Sequence, residues 1–184
     1  MLYIALLRGI NVGGHRVTME RLRGLFAELG LQQVRTYIQT GNVFFEAPEQ
    51  DRAALTQRIE QHLHAALGYE VPTFLRTVPE FEQLLARNPF APLNVTEDMR
   101  LCVMLLTAPA PTDLVLPLRS PKQDYELQYA AGHEAFVVWH LVGGRPPAST
   151  AFLDKLLGKR TTTRFYHTAL KILEAARPGA NIVA

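Results

Sequence analysis

The sequence predicts an α+β protein built from two related halves, and three observations carry that reading. Apolar runs of strand length alternate with helical apolar periodicity along the 184-residue chain. Two hairpin signals, at 34–47 and 125–142, each follow one strand and precede a helix. A loop-like stretch, NPFAPLN at 88–94, separates a half at 1–90 from a half at 95–184.

The elements follow in order. LYIALL (2–7) is a short apolar strand. Thr18 is a good N-cap for a helix through MERLRGLFAELG, which puts Leu22, Leu25, Phe26 and Leu29 on one face and stops at Gly30. VRTYIQ (34–39) and NVFFEA (42–47) are β-rich and joined through Thr40 and Gly41. From Asp51 to Leu67 apolar residues recur every fourth position, at Leu55, Ile59, Leu63 and Leu67, with Gly68 at the end. VPTFLRTV (71–78) is the fourth strand, and Pro79 suits the first turn of a short helix, PEFEQLLARN. The order β-α-β-β-α-β is that of the ferredoxin-like split unit.

The second half repeats this loosely. LCVMLLT (101–107) is a strand, and PTDLVLPL (111–118) is a short helix or turn broken by Pro117. YELQYA (125–130) and EAFVVWHLV (134–142) form a hairpin around residues 131–133. Ser149 caps a helix through Leu157, and Arg164 to Ala176 reads as another. The second ferredoxin-like half is therefore expected to be incomplete, its last strand missing and its end helical.

Composition sets bounds on function. No apolar run approaches the roughly 20 residues that span a bilayer. The N-terminal apolar run has neither the charged lead nor the small-residue cleavage site of a signal peptide. A cytoplasmic protein with no membrane association is expected. Cys102 is the only cysteine, which excludes an intrachain disulfide. The net charge of +2 is too small to imply nucleic-acid binding, but the charge is uneven. Residues 143–184 carry seven Lys/Arg against Asp154 and Glu174, which attracts anions or merely solvates a helix surface.

Two motifs stand out, RGINVGG (8–14) and RTYIQTGNVFF (35–45), followed by NPF at 88–90. Together they resemble the domain of unknown function 1697 family, which occurs mainly in bacteria. The resemblance covers nearly the whole chain. It implies a two-part α/β fold with ferredoxin-like halves, and it implies no activity. Near the C-terminus the family tends to read Thr-x-Arg-Asn-Trp-Asn-Thr, whereas this chain reads TTRFYHT at 162–168. Arg164 and Thr168 match; Phe165, Tyr166 and His167 depart, so a role resting on the two asparagines does not carry over.

The opening loop joins a strand to a helix, and helix N-termini offer unpaired N–H groups to anions. It lacks both the dinucleotide-binding glycine spacing and the Gly-Lys-Ser/Thr of a Walker loop. Gly13 and Gly14 permit positive φ, with Arg8, His15 and Arg16 beside them. Topology places this loop at the same sheet end as the hairpin turn and the turn at Gly68-Tyr69. Arg8, Asn11, Gly13, Gly14 and His15 are thereby brought towards Gln39, Thr40, Gly41 and Asn42. The competing reading is that the glycines and Asn42 are turn residues and that Gln39 caps a backbone group. Arg164, with Lys159 and Arg160 at the start of the last helix, is a second anion-attracting candidate.

No nucleophile-and-base set is visible. Cys102 lies in an apolar strand, and His62 and His64 point to different helix faces. No cofactor or metal is expected. Tyr3, Phe44 and Phe45 lie where RNA-recognition modules stack bases, but their apolar neighbours favour burial on both sheet faces. The favoured function is binding of an anionic small molecule or nucleotide at the 8–16/39–42 edge. The alternatives are an RNA/DNA-binding protein using that edge and the basic C-terminal third, and an enzyme of unknown reaction. The oligomeric state is left open.

Overall fold

The run LYIALL forms β1 (Leu2–Leu7), and every residue from Tyr3 to Leu7 is buried. A strand apolar on both faces must be central, and β1 is: in this computed structural model it pairs antiparallel with a strand on either side. The structure describes residues 1–48, 51–177 and 179. These divide into two compact units, Met1–Leu84 together with the chain from Lys171 on, and Leu85–Leu170. The expected halves ran 1–90 and 95–184; here the chain from Lys171 on groups with the first unit. Residues 178 and 180–184 of the expected second half lie outside the described residues.

In the first unit α1 (Met19–Glu28) starts at Thr18, whose hydroxyl accepts from the Arg21 N–H at 3.1 Å. Leu22, Leu25 and Phe26 are its buried face. Burial of each contributes roughly 1.5–3 kcal/mol, against about 1 kcal/mol for the cap. The face therefore holds the helix and the cap fixes where it starts. β2 (Gln32–Tyr37) begins two residues earlier than expected, because a bulge between Gln32 and Arg35 admits the polar Gln-Gln pair. Gln33 takes φ +51° there. β3 (Asn42–Glu46), α2 (Arg52–Leu67) and β4 (Thr73–Thr77) follow. Asp51 caps α2 by accepting from Ala53 and Ala54, and Gly68 ends it at φ +78°.

The sheet order is β2-β3-β1-β4, with each neighbouring pair antiparallel. Tyr3, Ala5 and Leu7 of β1 and Val43 and Phe45 of β3 share one core with Leu22, Leu25 and Phe26 of α1 and Leu55, Ile59 and Leu63 of α2. Phe45 stacks on Tyr3 at 5.5 Å and meets Phe26 at 5.6 Å. Ile4, Leu6 and Phe44, on the other face of the same strands, are also buried. None of these aromatics is a stacking platform for bases; they are core.

α3 (Val78–Ala86) leads into the second unit, its start fixed by Thr77 and Glu80, whose side chains each take the other's backbone N–H. β5 (Met99–Leu106), β6 (Leu118–Arg119), β7 (Tyr125–Ala131), β8 (Glu134–His140), α4 (Ala151–Leu157), β9 (Thr161–Phe165) and α5 (Tyr166–Ala176) complete the chain. The sheet order is β6-β7-β8-β5-β9, again with antiparallel neighbours. The whole is a mixed α+β structure with two antiparallel sheets and, among the described residues, five helices.

Residues 111–117, expected as a short helix or turn, form bends and irregular chain, so no helix separates the first two strands of this half. Two other expectations are corrected. The strand expected to be missing is present as β9, which pairs from Thr161 opposite Leu106 to Phe165 opposite Cys102. The last helix accordingly begins at Tyr166, not Arg164. The physical reason is the Thr161–Thr163 run: β-branched residues fit a pleated edge even where the segment reads as polar. At α4 the N-cap position is Thr150, whose side chain makes no capping bond, while the Ser149 hydroxyl accepts from Ala151 at 3.3 Å. Among the described residues no helix is long and apolar enough to cross a membrane.

Candidate functional site

Between β1 and α1 the chain turns sharply, with positive φ at Gly9, Asn11, Gly13 and Gly14. Asn11 tolerates φ +55° because its short polar side chain bonds locally. Its Oδ1 accepts from the Val17 N–H at 2.8 Å and its Nδ2 donates to the Gln39 carbonyl at 3.1 Å. One side chain thus closes the loop on itself and ties it to the β2–β3 turn. The Leu7 N–H donates to the Gly41 carbonyl at 2.8 Å, and the Arg8 N–H to the Pro72 carbonyl at 2.9 Å. His15 stacks on Tyr69 at 3.7 Å. The three segments do meet at one sheet end.

A cavity of about 810 Å³ opens beside this junction, lined by Asn11, the stretch Arg16–Met19, Arg23, and residues of β2 and its following turn from Val34 to Gln39. That volume lies inside the roughly 300–1,000 Å³ of small-molecule sites. Its lining holds three arginines, Arg16, Arg23 and Arg35, and no carboxylate. The three differ in commitment. Arg35 lies over the Phe44 ring at 5.3 Å and donates to the Ala175 and Ala176 carbonyls at 3.1 and 2.9 Å, a cation on the carbonyl end of α5. Arg23 donates one N–H to the Thr36 hydroxyl at 2.9 Å and keeps the rest of its fork. Arg16 is exposed and has no hydrogen-bond or ion-pair partner among the described residues. Thr18 and Met19 bring the start of α1, with its unpaired N–H groups, to the same wall. The lining contains no His, Cys, Asp, Glu, Lys or Tyr. It can hold negative charge; it offers no group that exchanges a proton near neutral pH.

The predicted residues fall into distinct positions. Asn11 and Gln39 line the cavity. Arg8, Gly13, Gly14 and His15 are exposed on the neighbouring loop and outside its lining. Gly41 takes φ +76°, and a Cβ there would lie 2.9–3.0 Å from Ile10 and Leu7. Asn42 is fully buried and donates to the Tyr37 carbonyl at 3.1 Å and the Thr40 hydroxyl at 3.0 Å, which fixes the turn. Arg164 belongs to the second unit, on β9. It donates to the Thr162 hydroxyl and the Thr163 carbonyl, and burial of its guanidinium lowers its pKa to about 10. Among the lining residues that the sequence reading missed are Arg23, Arg35, Val34 and Ile38. Arg23 and Thr36 are 13 residues apart, and only the packing of α1 beside β2 brings them together.

Removal of the clasp has a defined cost. Asn11→Ala strips the Val17 N–H and the Gln39 carbonyl of their partners and keeps the positive φ. A loss of about 1–3 kcal/mol is expected, read as a lower denaturation midpoint.

A family model described as "Protein of unknown function (DUF1697)" matches residues 1–136. The chain belongs to this family. The DUF1697 match contains both RGINVGG and YIQTGNV, and with them every residue lining the cavity. The divergent TTRFYHT segment at 162–168 lies beyond it. Among solved structures, the conserved bacterial protein SP0830 from Streptococcus pneumoniae is 22% identical, with a TM-score of 0.67 over 95% of this chain and 97% of that one. At that identity the likeness concerns the fold alone. No curated protein matches the chain.

Proposed function

We propose that the protein binds a small anionic ligand in the cavity between the 11–18 loop, the start of α1 and the end of β2. The observation that carries this is three arginines and no carboxylate around about 810 Å³. Like charges gathered without a counter-charge repel one another, and an anion relieves that repulsion. Arg16 and Arg23 are the ligand-facing cations, Arg35 adds to the field from a fixed position, and the α1 N–H groups add their dipole. The absence of a titrating group from the lining favours binding over catalysis. Relative to the edge expected from sequence, the site shifts from Arg8 and His15 towards Arg16 and Arg23, while Asn11 and Gln39 stay in it. Gly13, Gly14, Thr40, Gly41 and Asn42 then serve the loop that shapes the site. Arg164, on the second unit, has no part in this cavity.

On architecture, we read the first unit as ferredoxin-like, on its β-α-β-β-α-β order and its sheet order β2-β3-β1-β4. Two related halves, at 1–90 and 95–184, remain our reading of the chain's origin, the second having diverged by loss of its first helix.

A thermal-shift screen with phosphate, pyrophosphate, sugar phosphates and mononucleotides tests the site. An anion at ~100 times its dissociation constant stabilises by roughly 2.7 kcal/mol, a rise of roughly 5–10 °C for a chain of this size. Arg16→Ala and Arg23→Ala are expected to lose most of that rise, and Arg8→Ala to keep it. A rise that survives both cavity substitutions, or no rise with any anion, overturns the proposal.

A further inference from the structure

The same cavity carries information about the rest of its ligand. Besides the arginines its lining has an apolar part: Val17, Met19, Val34 and Ile38. Three of these have another use, since Val17, Met19 and Val34 pack against the core of the first unit. Ile38 does not. It is 39% exposed, belongs to the turn after β2, and holds φ +47°. A β-branched residue in the left-handed region is strained. Asn or Gly would satisfy this turn without strain. An exposed, strained isoleucine at a cavity wall makes sense as a surface for something that arrives later.

Gln39 adds a second independent element. Gln39 is an exposed lining residue whose carbonyl is taken by Asn11 and whose side-chain amide has no protein partner among the described residues. A primary amide presents a donor and an acceptor together, which matches the edge of a heterocyclic base. An acyl chain would make no use of that amide, and a free inorganic anion would leave the apolar wall wet. A ligand with a charged end, a flat apolar body and a polar rim satisfies every part of the lining.

We infer that the ligand is a mononucleotide, its phosphate held by Arg16 and Arg23 and its base lying against Ile38 and Val34 with its edge on the Gln39 amide. This rests on the anion-binding reading above and adds the base. The base wall is aliphatic, so selection between bases comes from the Gln39 edge contact and not from aromatic stacking.

Calorimetric titration with adenosine monophosphate, ribose-5-phosphate and inorganic phosphate separates the two readings. The nucleotide is expected to bind roughly tenfold or more tightly than ribose-5-phosphate. Ile38→Gly, which relieves the strained φ, is expected to narrow that gap while the melting temperature holds or rises. Equal affinity for the nucleotide and ribose-5-phosphate, or a gap that Ile38→Gly leaves intact, overturns the mononucleotide assignment and leaves the anion site standing. No binding of any of the three overturns both.

Discussion

Gly41→Ala is expected to lower stability by about 3 kcal/mol, a fall of roughly 6–12 °C in melting temperature. Two costs combine. The φ of +76° puts any L side chain in the left-handed region, at about 1–2 kcal/mol. The new methyl would also meet Ile10 Cγ1 at 2.9 Å and the Cβ atoms of Ile10 and Leu7 at 3.0 Å. Those Cβ atoms are anchored to β1 and the loop after it, so relief requires backbone movement, and overpacking of this kind costs about 1–3 kcal/mol. Gly13→Ala is the control. Its φ is +60°, but nothing lies within 4 Å of a Cβ there, so only the conformational cost of about 1–2 kcal/mol remains. Equal losses at the two positions would show that the close approach of the 41 turn to β1 is wrong.

Phe45→Ala is expected to cost about 3–5 kcal/mol. The ring is fully buried between Tyr3 and Phe26, in the core that joins the sheet to both helices. This substitution also decides between two roles for the aromatic strand. A base-stacking residue on an open sheet would lose RNA affinity on truncation with little change in stability. A core residue loses stability first, as a lower denaturation midpoint, and the burial of Tyr3, Phe44 and Phe45 makes that the expected outcome.

Much of the first unit was legible because its signals agree across levels. Thr18, Asp51 and Gly68 mark helix ends by the same bonds and φ angles that the structure shows. LYIALL is apolar at consecutive positions, which places it centrally before any pairing is known. The second unit was harder to read for a physical reason. β9 is Thr-Thr-Thr-Arg-Phe beside a helix, and its threonines serve equally as helix caps or as edge-strand residues. Only pairing with β5 decides, and that contact is distant in sequence.

The site was half legible. The rule that strand-end loops of one polarity share a sheet end brought 8–16 to 39–42, and Asn11 bonds the Gln39 carbonyl as that rule requires. What the sequence did not reveal is which side chains face inward from that end. Glycine-rich loops draw attention, but Gly13 and Gly14 lie outside the cavity lining. Arg23 and Arg35 sit inside a helix and a strand, where arginine ordinarily means a solvated surface. Arg23 reaches Thr36 only through the packing of α1 against the sheet, which periodicity predicts in kind but not in register, whereas Arg35 turns to the other sheet face over Phe44.

The most direct test of the site is amide chemical-shift mapping of the labelled protein titrated with adenosine monophosphate. Saturable shifts confined to the 11–19 segment, Arg23 and residues 34–39 are the predicted result, absent in Arg16→Ala/Arg23→Ala. Shifts centred instead on Arg8, Gly13 and His15, or on β9 around Arg164, would contradict it and move the search to those positions.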